Sequence, residues 1–316
     1  MNSPQPPKSN YKALSGAHLA YALTNDKKKI RYALWPTGDR GLIIFLNGRN
    51  EYIEKYNDAY ARFQALGYAV VTLDWRSQGL SERPSWNETL GHVETFQEYQ
   101  LDLSTVLNQI PVRKVNGERI LVGHSTGACI GLRTVLDGKL SIAGAIFLSP
   151  FWGFGTGFGR PLTIRILTFI IKIFKAIGLG KISSGPQPKQ PYVMSKTVRN
   201  NSLTSDAEQF ERLQKIAALD PRLSIGPPSF AWIAAALNEI KQLQVEKRIE
   251  VPSMVLIGAH DIIVSQEAAK AQLIGDPQSV FRLYKNAKHE LLIEKAAITE
   301  AVWENIEAFL TAPRKN

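Results

Sequence analysis

The chain has 316 residues, 44% of them hydrophobic, enough for one large core with an insertion but short for three domains. Its single cysteine, Cys129, excludes a disulfide framework and the cysteine-rich zinc patterns. The net charge of +10 favours anionic surroundings, but the cations are scattered, with neither a basic arm nor an aromatic-spaced basic stripe. Nucleic acid is therefore not an expected partner. The N-terminal "MNSPQPPKSNYKALSG" is polar and proline-rich, lacks the apolar run of a signal peptide, and reads as a loose arm. A cytoplasmic protein, free or peripheral at a membrane face, is expected.

A strand-rich lead-in from about Leu19 to Leu34 is followed by "LIIFL" (Leu42 to Leu46), a continuous apolar run ending at Asn47-Gly48. Such a run suits a strand buried on both faces. A helical stretch from about Tyr52 to Leu66 stops at Gly67, a C-terminal capping signal. "YAVVTLDW" (Tyr68 to Trp75) is the next buried strand, and a helix from about Val93 to Ile110 follows the loop "RSQGLSERPSW". Then come "RILVGH", a helix from Gly127 to Leu136, and "IAGAIFLSP". Strands alternating with helices at this rhythm predict an α/β fold with a mostly parallel sheet and right-handed crossovers.

The rhythm lapses between about Phe151 and Glu250 and resumes with "VPSMVLIGAHD", a helix near Gln266 to Leu273, "SVFRLYKNAKH", and a last helix from about Ile298 to Leu310. The expected organisation is a core of residues 1–150 and 251–316 with a helical cap, 151–250, inserted over the carboxyl ends of the strands. Open α/β sheets bind their ligands there. Two glycine-rich stretches, "GFGTGFGR" (Gly153 to Arg160) and "GLGKIS", lack the spacing of phosphate-binding loops. The first reads as a flexible lead into the cap.

The chemistry centres on Gly123-His124-Ser125-Thr126-Gly127. Glycines two before and two after the serine allow a sharp strand-to-helix turn that lifts Ser125 above the sheet. A bare G-x-S-x-G arises by chance in about one chain in ten of this length; here it sits between a strand and a helix, as nucleophilic use requires. A serine hydroxyl needs a histidine base and a carboxylate to hold that histidine. In this architecture the order is serine, acid, histidine.

His18 and His92 precede the serine, and His124 is its neighbour, leaving His260 and His289. Asp261 follows a strand's carboxyl end, whereas Asp276 precedes a strand and Asp206 and Asp220 fall in the cap. With Asp261 as the acid, His289 is the only histidine that follows it, so Ser125, Asp261 and His289 are the expected catalytic residues. Backbone N–H groups must hold the developing oxyanion. Thr126 offers one, and Arg49, in the loop Asn47-Gly48-Arg49-Asn50, is the expected second; an ordinary Asn-Gly turn is the alternative use of that loop. These parts call for no metal and no organic cofactor.

From about His18 onward the chain resembles the α/β-hydrolase superfamily, and within it the lysophospholipase and monoacylglycerol lipase branch, also described as serine-aminopeptidase-like hydrolases. The resemblance rests on "NGRNEYIEKY", "LDWRSQGLSERP", "GHSTG", "GAHDIIV" and "NAKHELL". Two positions depart from it: Asn47 stands where the family usually has histidine, and Ser77-Gln78 replace a glycine-containing pair. The resemblance implies hydrolysis of a monoacyl lipid ester.

"PLTIRILTFIIKIFKAIG" (Pro161 to Gly178) fits a lipid substrate in either of two ways. Arg165, Thr168, Lys172 and Lys175 fall on one narrow helical face, so the helix either lies in a membrane interface with its cations toward anionic head groups or packs on the core with that stripe solvated. Three other functions share the same parts. A peptidase or amidase would need cap acids such as Asp206, Glu208 and Glu211 to hold a free amine. An acyltransferase would pass the acyl group to an alcohol, and a binding module of this fold would ordinarily lack one catalytic residue.

Overall fold

The computed structural model describes residues 14–158, 161–186, 190–244, 249–273 and 279–312. Residues 1–13 of the expected N-terminal arm, Asp276 and Arg160 lie outside the described residues, as do the side chains of Arg165 and Lys172. The arm's last residues are not loose, since Leu14 packs on the core and the Ser15 carbonyl accepts from Trp35 Nε1.

Eight strands form one sheet: β1 (His18–Leu23), β2 (Lys29–Trp35), β3 (Gly41–Leu46), β4 (Ala69–Leu73), β5 (Glu118–His124), β6 (Gly144–Leu148), β7 (Ser253–Gly258) and β8 (Ser279–Tyr284). Their spatial order is β1-β2-β4-β3-β5-β6-β7-β8. The lead-in is the antiparallel pair β1–β2, with β2 also antiparallel to β4. Every pair from β4 to β8 is parallel. This is the α/β-hydrolase fold, a mostly parallel sheet flanked by helices.

The continuous apolar runs of β3 to β7 are explained by cover on both faces. Leu42, Ile44 and Leu46 point into one core, shared with Leu103, Cys129, Leu132 and Trp232, while Ile43 and Phe45 point into another with Tyr60, Phe63, Trp303 and Ile306. The helices are α1 (Asn57–Ala65), α2 (Gln97–Leu107), α3 (Ile110–Arg113), α4 (Thr126–Leu136), α5 (Pro161–Ala176), α6 (Ala207–Leu219), α7 (Phe230–Leu243), α8 (Gln266–Leu273) and α9 (Ala296–Thr311), and all but α5 and α6 contribute to these two cores. Among the described residues, 151–250 holds α5, α6 and α7 and no sheet strand.

Two local expectations need correction. The helix expected from Val93 begins only at Gln97, because the side chain of Glu98 folds back to accept the N–H groups of Glu94 and Thr95 and fixes a turn there. The stretch after Gly153 is not a loose lead. Gly155 and Gly157 donate their N–H groups to Ile263 and Ile262 carbonyls at 2.9 and 2.8 Å. A Cβ at Gly155 would stand 2.5 Å from the Ile262 oxygen, so these glycines serve close packing against the segment that follows Asp261.

Candidate active site

The register of the parallel strands brings their carboxyl ends to one edge: Leu46 pairs with Gly123, His124 with Leu148, and Gly258 with Tyr284. The loops that follow carry Arg49, Ser125, Asp261 and His289. All the candidates therefore meet at one edge of the sheet.

Ser125 sits between β5 and α4 with φ 51° and ψ −117°, a conformation that side chains other than glycine rarely adopt. It is held there by backbone bonds: its N–H donates to Leu148 at 3.0 Å, and its carbonyl accepts from Phe151 at 3.0 Å. Its hydroxyl makes no capping bond to α4. The flanking glycines act by close approach. A Cβ at Gly127 would lie 2.2 Å from the Leu46 oxygen, and one at Gly123 would lie 2.6 Å from the Ala128 Cα.

His289 Nδ1 lies 2.7 Å from Asp261 Oδ2. Burial would raise the Asp261 carboxyl, but the His289 imidazole and the N–H groups of Ile263 and Val264 outweigh it and hold the carboxyl below its usual range. Gly258 lets the two loops close on each other, since a Cβ there would meet the Lys288 oxygen at 2.1 Å. Ser125 and His289 line one cavity of about 480 Å³, together with Arg49, Thr126 and mainly apolar side chains.

The Arg49 loop passes against the serine: a Cβ at Gly48 would stand 3.0 Å from Ser125 Cβ. The Gly48 N–H donates to the Glu51 carboxylate and the Asn50 N–H to Gln78 Oε1. Among the described residues the N–H groups of Arg49 and Thr126 have no acceptor. Asn47, at the histidine position of the resemblance, donates from Nδ2 to the Leu73 carbonyl at 3.1 Å and accepts from Trp75 Nε1 at its own carbonyl. Gln78 ties its loop to the Arg49 loop, and Ser77 bonds the His92 carbonyl at 2.8 Å.

A buried cluster beneath the cavity was not singled out by sequence. Lys55 Nζ lies 2.6 Å from Glu51 and 2.5 Å from Glu290, with the Tyr56 hydroxyl 2.9 Å from each carboxylate. His124 Nδ1 reaches Glu51 at 3.0 Å. Burial alone would lower the His124 imidazole, but Glu51 and Glu290 raise it to about 9, so it is charged at neutral pH. Glu51, His124 and Glu290 have ligand atoms within 4.8 Å of one another. The Lys55 ammonium already bridges the two carboxylates, so the cluster is a balanced set of ion pairs rather than a metal site.

The remaining histidines lie elsewhere. His18 packs edge-on against Tyr32 in the lead-in sheet, His92 bonds Ser229, and His260 is exposed. On α5 the polar stripe is described at Thr168 and Lys175 alone, the first at the cavity and the second partly exposed. Thr168 and Ile170 line the cavity and Lys175 pairs with Glu94 at 3.3 Å, whereas Ile166, Phe169 and Ile173 are exposed on α5. Among the described residues no helix is long and apolar enough to cross a membrane.

The pattern of the serine aminopeptidase S33 family matches residues 37–296. The chain belongs to that family. It is 27% identical over 294 residues to the probable lysophospholipase L2 of Haemophilus influenzae, covering 90% of this chain and 89% of the relative. It is 24% identical over 280 residues to lysophospholipase L2 of Escherichia coli K12, covering 85% and 79%. A soluble variant of monoglyceride lipase from Saccharomyces cerevisiae superposes with a TM-score of 0.73 at 18% identity, covering 98% of both chains. The chain is thus a hydrolase of α/β-hydrolase fold, with lysophospholipases among its relatives.

Proposed function

We propose that the protein is a carboxylic ester hydrolase of monoacyl lipids, acting through an acyl-enzyme on Ser125. The observation that carries this reading is the cavity of about 480 Å³ opening on Ser125 and His289, walled by Phe151, Phe154, Ile171, Phe230, Trp232 and Leu237. An apolar slot of that size with a nucleophile at one end suits a single acyl chain. Lysophospholipase relatives support the same substrate class.

In this mechanism Ser125 Oγ attacks the ester carbonyl carbon as its proton passes to His289 Nε2. Asp261 fixes the imidazole through Nδ1 and stabilises its cation. The Arg49 and Thr126 N–H groups receive the oxyanion. His289 then protonates the departing alcohol oxygen. Water attacks the acyl-serine, gives its proton to His289, and the fatty acid leaves as the Ser125 hydroxyl is restored.

Residues 151–250 act as the cap over the hydrolase core, with α5 and α7 supplying one wall of the acyl slot. The exposed apolar face of α5 lies beside the slot and is proposed to rest on a lipid surface, from which a monoacyl substrate enters. A peptidase reading has less support, because none of Asp206, Glu208 and Glu211 lines the cavity and Asp206 instead caps α6 by accepting the Gln209 N–H. Fatty-acid release from lysophosphatidylcholine and from monoacylglycerol, measured for wild type beside Ser125→Ala, tests the proposal. Release that disappears in the variant is expected; no release from either lipid by the wild type would overturn it.

A further inference from the structure

The Arg49 side chain is unexplained by its backbone role. Its guanidinium Nε is buried with no hydrogen-bond partner, and its described contacts are the Gly226 carbonyl at 2.5 Å and the Trp232 ring face at 5.4 Å. Among the described residues no carboxylate lies within ion-pair distance. Glu51, two residues on, is taken by Lys55 and His124. Burial without a countercharge pushes the guanidinium down to about 10. Leaving a buried cation short of acceptors is costly, and such a group is most useful when a ligand completes it.

Its position says which ligand. Arg49 lines the acyl cavity and also a second cavity of about 530 Å³, whose wall is more polar and includes Asn50, Ser202, Ser224 and the ion-paired Glu51, Lys55 and Glu290. Gly91 keeps space for the guanidinium, since a Cβ there would stand 3.1 Å from Nη2. An ester carbonyl held at the Arg49 N–H, with its acyl chain in the apolar slot, directs its alcohol portion into the second cavity. In a monoacyl glycerophospholipid that portion carries a phosphodiester separated from the ester only by the glycerol carbons. The planar guanidinium fork matches phosphate oxygens.

Resting on the esterase reading above, we propose that the Arg49 side chain binds the phosphodiester of the substrate and so makes lysophospholipids preferred over monoacylglycerols. The residue then serves twice: its N–H faces the oxyanion, and its guanidinium reads the head group. Substitution of the side chain leaves the N–H in place, which makes the second role separable.

The test compares wild type, Arg49→Met and Arg49→Lys on lysophosphatidylcholine and monoacylglycerol of the same acyl chain. Arg49→Met is expected to lose about tenfold to a hundredfold more in kcat/KM on lysophosphatidylcholine than on monoacylglycerol, mostly through KM. Arg49→Lys should recover part of the loss. Equal losses on both lipids, or no loss on either, would overturn the assignment. A second arm is independent of turnover: binding of a non-hydrolysable ether lysophosphatidylcholine against the matching ether glycerol. The wild type should prefer the phospholipid and Arg49→Met should not. Absence of that preference in the wild type sinks the head-group assignment even if ester hydrolysis holds. Preference without hydrolysis would instead sink the esterase reading alone.

Discussion

His124 Nε2 lies 3.3 Å from the backbone oxygen of His289, and the two rings are 4.8 Å apart, so the residue before Ser125 supports the chain that carries the proposed base. The charged imidazole donates from Nε2 to that carbonyl and from Nδ1 to Glu51. Because the folded-state pKa of about 9 lies above the ordinary value of 6.5, the stabilisation is complete below pH ~6.5 and is lost as pH rises through 9. Unfolding measured from pH 6 to 9.5 should show wild-type stability falling by up to roughly 3 kcal/mol more than that of His124→Gln. Parallel pH profiles for the two proteins would refute the charged state.

The Asp261–His289 bond predicts a different signature. Asp261→Asn keeps the shape but removes the acceptor that selects the imidazole tautomer, so ester hydrolysis should fall by roughly three to four orders of magnitude. Ser125 labelling by a fluorophosphonate should slow in step. If activity drops less than tenfold, another carboxylate holds His289.

Gly127→Ala should be among the most damaging single substitutions. The added methyl would meet the carbonyl oxygens of Leu46 and Asn47 at 2.2 and 2.4 Å, and both belong to rigid backbone at the sheet edge. A loss of roughly 3 kcal/mol is expected, read as a lowered urea midpoint. Gly138→Ala supplies a contrast, because its neighbourhood is open and only its φ of 68° is strained; its cost should be roughly 1 kcal/mol.

The parallel strands β3 to β7 were legible because they are buried on both faces and so appear as apolar runs, from "LIIFL" to "MVLIG". The candidates Ser125, Asp261 and His289 could be picked out because chain order and sheet polarity leave few alternatives, and all three lie at one edge of the sheet. The Glu51–Lys55–His124–Glu290 cluster was not. Charged residues read as solvated unless their partners are known, and Lys55 and Glu290 are separated by most of the chain. The direction of α5 was hidden for a related reason. Periodicity divides a helix into faces but does not say which one the protein covers; here Ile171 is buried and Phe174 packs on Phe230, leaving Phe169 and Ile173 outward.

That outward face can be tested without touching the acyl slot. Phe169 and Ile173 are 67% and 43% exposed and do not line the cavity, so their replacement should change stability by no more than about 0.5 kcal/mol. Inserting such side chains into an interface is worth roughly 1.5–3 kcal/mol each when burial is complete. The double variant Phe169→Ser, Ile173→Ser should therefore bind phosphatidylglycerol vesicles at least about tenfold more weakly in co-sedimentation. Its hydrolysis of a water-soluble short-chain ester should be unaltered, while its rate on vesicle-bound lipid falls. Unchanged vesicle binding would show that α5 does not meet the membrane, whereas equal losses on both substrates would place its effect inside the acyl slot.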